Sequence, residues 1–355
     1  MSFRTKRVLF ITPFYTIFQF FLLKYVFLLL GGISDSYLAL FAILIGLNHF
    51  IPMLFESRKS RKPTRFLTTI DGVWMWASVM FLIDMVIIYL IGNFVNVPAV
   101  AIIFLLAIVP VLGVYNYYKA HKLTVKEKTL KLDYLSGELN IVHMSDVHFG
   151  SVRHKQIICQ IADKLKELEN GCDLAIISGD LADGSSIVEE DDLMEFAKVE
   201  MPIIFTPGNH DFYPGIDSVI KACKKAGIIV LDNEKMEFEG LNIYGLTYSI
   251  EDGEAPEFDK SLINPDLVNV LNYHVPYYWR EFSNLGFDIQ LSGHTHGGQF
   301  YPAVNFAEIL FEFNMGLFKD DFGNYLHVTT GVGSMDTPMR WGTDSELVIL
   351  KLRKS

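Results

Sequence analysis

Cysteine is scarce in this chain. Three cysteines, Cys159, Cys172 and Cys223, are spread over 355 residues, too few and too scattered for a disulfide framework. They read as structural residues with no catalytic thiol implied, and their number fits a reducing compartment. Internal repeats and low-complexity segments are also missing from the sequence. Basic charge is short, with 30 Lys and Arg against 41 Asp and Glu and a net charge of −11. The shortage is local: residues 1–122 carry eleven basic and four acidic side chains, whereas the remainder carries 19 and 37. So acidic a second part repels a nucleic-acid backbone, which disfavours DNA or RNA as a partner. It suits the capture of divalent cations.

What fills the first part is apolar sequence. Four segments, roughly 8–30, 36–55, 72–91 and 97–117, each reach the length of about 20 residues needed to cross a bilayer. The first follows Arg4, Lys6 and Arg7, but it is too long and bulky for a cleaved signal peptide and no small-residue cleavage site follows it. Orientation is read from the loops. Arg58, Lys59, Arg61, Lys62 and Arg65 crowd the loop 56–70, and Lys119 and Lys122 follow the fourth segment, while the loops 31–35 and 92–96 have no Lys or Arg. The expectation is a multi-pass protein of the cell membrane, with both termini and everything after 122 in the cytoplasm. Trp74, Trp76, Tyr115, Tyr117 and Tyr118 fall near the inferred cytoplasmic interface, where amphipathic rings settle. Two charges lie inside spans, Lys24 and Asp84. At about 1.5 Å per residue they sit roughly 9 and 10 Å below the same surface, which predicts an interhelical ion pair. The alternative is a snorkelling lysine.

From Leu123 the pattern becomes strand-like, and the domain division is set at 1–122 and 123–355. Apolar runs at 139–144, 174–178, 203–206, 267–273 and 287–292 read as buried strands. Each ends in a metal-binding type of side chain: Asp146-Val147-His148, Gly179-Asp180, Gly208-Asn209-His210-Asp211, His274, and Gly293-His294-Thr295-His296-Gly297-Gly298. Strand ends are the usual place for a site in an α/β sheet. Helices are expected at 154–169, 189–199, 215–226 and 277–284, and further strands at 235–246, 323–330 and 345–352. Alternating strands and helices argue for an α/β domain with a mixed sheet.

Asp146, His148, Asp180, Asn209, His274, His294 and His296 form a set of carboxylate, amide and imidazole donors. Such a set suits Mn²⁺, Fe²⁺ or Zn²⁺ better than Mg²⁺ or Ca²⁺. It is too many for one ion and suits two that share a carboxylate.

The order Asp-x-His, Gly-Asp, Gly-Asn-His-Asp, His, Gly-His-x-His resembles the calcineurin-like metallophosphoesterases over about residues 140–335. Four spans ahead of it make the membrane-anchored bacterial members the nearest likeness. The resemblance implies two mixed β-sheets packed face to face and flanked by helices, following a four-helix transmembrane domain. It implies that Asp146, His148 and His296 hold one metal, that Asp180 bridges, and that Asn209, His274 and His294 complete the second site. The expected cofactors are two divalent ions, manganese first, with iron or zinc as alternatives. His210 is implied to be the acid near the leaving group. Two cations about 3.5–4 Å apart clamp the attacking and leaving oxygens of a displacement and hold the hydroxide that attacks, and a leaving alkoxide needs a proton that His210 is placed to give. Asp183 would hold that imidazole in its proton-donating state; the other reading is an Asp in an Ala-Asp-Gly turn.

Departures narrow the activity. Gly184 stands where serine/threonine phosphatases of the family carry a phosphate-gripping Arg, and Asp183 where purple acid phosphatases have a ligating Tyr. The expected function is a membrane-tethered hydrolase of phosphoester or pyrophosphate bonds, a phosphodiesterase or pyrophosphatase, with a lipid-linked substrate open. The alternatives are a hydrolase of soluble or cyclic nucleotides and a non-catalytic membrane sensor. The apolar stretch 304–318 is read as an ordinary buried insertion or, less favoured, as an acyl- or membrane-contacting flap. Arg153 and Arg340 read as solvated, with a phosphate grip as the alternative. His143 and His327 read as satisfied core residues, and His49, His121 and His154 lack partners in sequence.

Overall fold

The computed structural model describes residues 3–56, 59–133, 135, 137–249 and 258–355; Arg58, one of the residues used for orientation, lies outside them. The chain divides into two compact units. One comprises the residues up to Lys119 with Asp336–Met339, the other Ala120–Met335 with Arg340–Ser355.

In the first unit α1 (Phe3–Leu29), α2 (Asp35–Glu56), α3 (Lys62–Gly92) and α4 (Ala99–His121) are all long and apolar enough to cross a membrane. The third is longer than its apolar run because it begins at Lys62-Pro63, where a proline is pre-set for the first helical turn. Leu22, Val26, Met85 and Leu106 pack together. Beside them Gln19 Nε2 donates to Ser78 Oγ at 3.0 Å and Trp74 Nε1 to Gln19 Oε1 at 3.0 Å. His49, which had no partner in the sequence, meets Asp71 Oδ2 at 2.8 Å. The expected Lys24–Asp84 pair does not form: Lys24 Nζ bonds Asp35 Oδ2 at 2.7 Å, with both side chains about half exposed. Its flexible stem carries the ammonium to the carboxylate that opens α2, avoiding the cost of an ammonium held among apolar helices. Asp84 stays buried, and its Oδ2 has no hydrogen-bond partner among the described residues.

The second unit runs β1 (Leu123–Leu132), β2 (Leu139–Met144), α5 (His154–Leu168), β3 (Leu174–Ser178), β4 (Ile203–Thr206), α6 (Ile216–Lys225), β5 (Ile229–Val230), β6 (Glu234–Phe238), β7 (Leu241–Leu246), β8 (Val268–Tyr273), α7 (Trp279–Leu285), β9 (Ile289–Ser292), α8 (Ala303–Leu310), β10 (Gly316–Lys319), β11 (Tyr325–Val328) and β12 (Ser345–Lys354). The strands form two six-stranded sheets in the orders β1-β12-β2-β3-β4-β5 and β10-β11-β9-β8-β7-β6. Each mixes parallel and antiparallel pairs. Successive side chains of a strand point to opposite faces, and here both faces are buried, which is why these strands are unbroken apolar runs. Ile141, Leu174, Ile176 and Ile204 face the second sheet and meet Ile243, Val270, Ile289 and Leu291. Val142, Met144, Ala175, Ile177 and Phe205 face outward into a second core with Ile157, Ile158, Ile161 and Leu165 of α5 and Val219 of α6. Full burial of such side chains contributes about 1.5–3 kcal/mol each.

Two expected elements are corrected. Residues 189–199 are turns ending in a short 3₁₀ turn, Phe196–Lys198. The Asp192 carboxylate accepts the Glu189 N–H at 2.8 Å, a local bond that competes with helix formation. The strand expected at 235–246 is the hairpin β6–β7, turned at Glu239-Gly240 with φ of 44° and 87°.

Candidate metal centre

β2, β3 and β4 run parallel in one sheet, and β7, β8 and β9 in the other. The turns after β2, β3, β4, β8 and β9 carry all seven candidate donors. Asp146 Oδ1 lies 3.3 Å from His296 Nε2 and 3.7 Å from His148 Nε2, and the two imidazole nitrogens are 3.0 Å apart. Asp180 Oδ2 is 3.1 Å from His274 Nε2 and 3.9 Å from His148 Nε2. Asn209 Oδ1 lies 3.2 Å from His294 Nδ1. The sequence-predicted donors thus gather as Asp146, His148 and His296 on one side and Asp180, His274 and His294 on the other, with Asn209 beside the second group.

The set fits metal ions. Ligand atoms about 2.1 Å from one cation lie about 3.0–3.4 Å from each other, close to the separations found. Asp146 Oδ1 and His274 Nε2 are buried and hydrogen-bond to nothing among the described residues, although buried polar atoms normally have partners. His274 is oriented by its other nitrogen, Nδ1, 2.7 Å from the Ser178 carbonyl oxygen, the kind of outer contact that fixes a ligating imidazole.

The backbone is strained at the same places. Asp146, His148, Asp180, His294 and His296 all have φ between 48° and 71°, a left-handed conformation that non-glycine residues seldom adopt. Such strain costs about 1–3 kcal/mol per residue and gathers at functional sites. It is held by main-chain bonds between neighbouring turns: Asp146 N–H to Gly179 O at 3.0 Å, His148 N–H to Asp180 O at 3.0 Å and Gly293 N–H to His274 O at 2.8 Å. Close packing explains the glycine ahead of Asn209, since a Cβ on Gly208 would lie 2.4 Å from Asp180 Oδ1.

Charge follows the geometry. Burial works against the Asp180 carboxylate, but the charge of His274 beside it, with the charges of His148 and His210, outweighs it and holds the group at about 2. Burial likewise disfavours the His274 imidazolium, yet Asp180 beside it lifts that group to about 10. Burial and the charge of His274 push His294 down to about 4. Burial, with His148 next, lowers His210.

His210 N–H donates to Asp180 Oδ1 at 2.8 Å, and its ring packs edge-on against His148 at 4.9 Å. The imidazole lies within reach of the ligand atoms of His148 and Asp180, so distance alone does not separate an acid from a ligand here. Asp183 meets it through the main chain: His210 Nδ1 is 3.1 Å from the Asp183 carbonyl oxygen. The Asp183 carboxylate instead accepts from Ser185 N and Oγ at 2.6 Å each, closing a local turn.

Sequence reasoning passed over Asp211, though it stands inside the Gly-Asn-His-Asp block. Its buried carboxylate accepts three main-chain N–H groups, from Asp180 at 2.9 Å, Ala182 at 2.8 Å and Gly208 at 2.8 Å. It thereby ties the turn of Asp180 to that of Asn209. Burial and the charge of Asp180 raise it to about 7.

Other expectations are revised. Arg153 and Arg340 are neither solvated nor turned to a phosphate. Both are buried; Arg153 donates to Ala120 O and Gln160 Oε1, Arg340 to carbonyls of residues 330–333. His143 and His327 are satisfied core residues, with their Nδ1 atoms 2.6 Å apart and His143 Nε2 2.7 Å from Ser178 Oγ. The stretch 304–318 is no buried insertion: Phe306, Ile309 and Leu310 of α8 are 61%, 80% and 77% exposed. Phe311, which follows, sets its ring edge-on to His294 at 6.2 Å and stacks on Tyr277.

The sequence profile of the calcineurin-like phosphoesterases matches residues 139–298. An uncharacterized metallophosphoesterase of Helicobacter pylori is 29% identical over 236 residues, 64% of this chain and 63% of that protein. One from Aquifex aeolicus is 26% identical over 68% of this chain and 96% of its own length. A zebrafish (Danio rerio) transmembrane protein with metallophosphoesterase domain is 26% identical over 70% of this chain and 61% of its own. The chain thus spans just under two thirds of the length of the Helicobacter relative. A solved purple acid phosphatase from yellow lupin seeds covers 46% of this chain and 39% of its own at 12% identity and a TM-score of 0.31, too slight a likeness to carry an argument. With the strand-end motifs and their paired donor groups, the profile match identifies a calcineurin-like phosphoesterase domain at residues 139–298, preceded in this chain by four apolar helices able to span a membrane.

Proposed function

We propose that the protein is a membrane-tethered hydrolase of phosphoester or pyrophosphate bonds that works with two divalent ions, manganese foremost, at the cytoplasmic face. The observation that carries this reading is the position of Asp180, whose carboxylate lies within 4 Å of both His148 and His274 and so stands between the two donor groups. In this reading Asp146, His148 and His296 hold the first ion, Asn209, His274 and His294 the second, and Asp180 is shared. Bound ions supply Lewis acidity toward the phosphoryl oxygens and lower the pKa of a water to near neutral. The chain's own residues do the rest. His210 is the proton donor to the leaving oxygen in its imidazolium form: its Nδ1–H donates to the Asp183 carbonyl, and the Nε2 proton is the one transferred. The negative charge of a bound phosphoester favours this form against the burial that disfavours it. The domain division at 1–122 and 123–355 rests on the change to strand-like sequence at Leu123, and the cytoplasmic placement on the basic loops. A lipid-linked substrate draws support from the exposed apolar face of α8, which leads through Phe311 to His294.

The test is the full chain in detergent, stripped with chelator and reloaded with Mn²⁺, assayed on phosphomonoesters, phosphodiesters, nucleotide pyrophosphates, cyclic nucleotides and lipid extracts. Metal-dependent turnover of a diester or pyrophosphate is expected. No turnover of any member, from protein shown to hold two ions, would leave the non-catalytic sensor as the better reading.

A further inference from the structure

Arg340 lies in the segment between β11 and β12, and its side chain is fully buried. No Asp or Glu among the described residues lies within ion-pair distance of it. Its guanidinium instead collects main-chain oxygens: one terminal nitrogen donates to Thr330 O at 2.7 Å, Gly331 O at 3.1 Å and Gly333 O at 2.6 Å. The other donates to Thr343 Oγ1 at 3.1 Å. Burial lowers the group to about 10, opposed by the negative charges of Glu346 and Asp146, so it remains a cation at neutral pH.

Each of these contacts leads onward to a ligand of the first ion. The loop gathered by the guanidinium donates Val332 N–H to Ser145 O at 3.0 Å and Gly333 N–H to Asp146 O at 2.7 Å. Those two bonds clamp the turn in which Asp146 holds its left-handed φ of 51°. Thr343 Oγ1–H in turn donates to Gln299 O at 2.7 Å, and Gln299 Oε1 accepts from Met335 N–H at 2.9 Å. Gln299 closes the turn that begins at His296, since its N–H donates to His296 O at 3.0 Å. A planar fork with several fixed donors satisfies such a set; a lysine ammonium, a compact charge on a flexible stem, does not hold it in the same geometry.

We propose that Arg340 is a positioning residue for the first ion: it holds the turns of Asp146 and His296 in register from behind, by way of main-chain carbonyls and Thr343. The proposal rests on the two-ion reading above. It accounts for a buried guanidinium kept without a carboxylate partner, an arrangement that an ordinary core would replace with apolar side chains.

The experiment titrates Mn²⁺ into the chelator-stripped full chain and follows stoichiometry and affinity by metal analysis and electron paramagnetic resonance. The variants are Arg340→Lys, Thr343→Val and, as a control for mere destabilisation, Leu165→Ala on α5. The parent should bind two ions as a spin-coupled pair. Arg340→Lys should bind one tightly, with the other weakened by about 10–100-fold, the usual effect of disturbing an outer contact of a metal site. Combining it with His274→Ala should leave no tight ion, whereas His274→Ala alone keeps one. Thr343→Val, which removes the arm to Gln299 and keeps the charge, should weaken the same ion to a lesser degree and covers the case in which Arg340→Lys does not fold. Leu165→Ala should lower the melting temperature with both ions retained. A parent that binds fewer than two ions overturns the two-ion reading itself. A two-ion parent whose Arg340→Lys or Thr343→Val form binds both with unchanged affinity overturns the role given to Arg340, as does parallel weakening of both ions in Leu165→Ala.

Discussion

Replacing Asp211 tests whether the turns of the candidate metal centre are held together by one carboxylate. In Asp211→Ala three buried N–H groups, those of Asp180, Ala182 and Gly208, lose their acceptor. An orphaned buried donor costs about 1–3 kcal/mol, so three approach about 3–9 kcal/mol. Water entering the space left by the side chain recovers part of this, and about 3–5 kcal/mol is the expected loss. Asp211→Asn separates the contributions. Its amide oxygen can replace Oδ2, which serves Asp180 and Gly208, but its NH₂ then faces the Ala182 N–H that Oδ1 accepts. One bond is lost and two donors are opposed, for about 1–3 kcal/mol. In a domain of this size 1 kcal/mol moves the melting temperature by about 2–4 °C. The alanine form should therefore melt roughly 6–20 °C below the parent and the asparagine form roughly 2–12 °C below, followed by tryptophan fluorescence of the full chain in detergent. A melting temperature within about 2 °C of the parent for Asp211→Ala would refute the reasoning. Equal losses for the two variants would show that negative charge, and not the number of accepted N–H groups, is what the position supplies.

Other expectations concern the chemistry and the membrane. Asp180→Asn should abolish hydrolysis and lower metal content from two ions towards one; two tightly held ions with near-normal turnover would contradict a shared carboxylate. His210→Ala should keep both ions and lose about 10²–10⁴ in turnover, with a smaller loss on nitrophenyl than on alkyl esters; equal losses speak against a proton donor. Protease added to sealed protoplasts should spare the domain from 123 onward, and cleavage without lysis would reverse the proposed orientation.

The strands and their donors were legible because both signals are local. An apolar run such as Leu174–Ser178 names a buried strand, and Gly179-Asp180 at its end names a candidate ligand. What escaped acts through main-chain atoms, which leave no mark in a sequence. Asp211 and Arg340 address N–H and carbonyl groups of residues distant from them, and nothing periodic connects Arg340 to Asp146. Residues 189–199 combine acidic side chains with Leu193, Phe196 and Ala197 at helical spacing, but Asp192 spends its carboxylate on the Glu189 N–H. Counting depth along helices paired Lys24 with Asp84, whereas a long lysine stem and the loop that brings Asp35 near settled the matter differently.

The placing of β12 has a consequence for how the protein is made. β12 lies between β1 and β2, and its register sets Leu123 beside Ser345 and Ile141 beside Leu350. A ribosome that has delivered β1 must still add the residues up to Ser345 before that strand gains its neighbour. At about 5–20 residues per second this takes roughly 11–45 s. Throughout that interval β1 and β2 each present an open edge, the kind of surface on which strands of other chains pair. The four apolar helices precede β1 and are already made by then. A nascent chain stalled short of Ser345 is thus expected to reside at the membrane with its donor turns translated and its first sheet split, a substrate for chaperones and proteases.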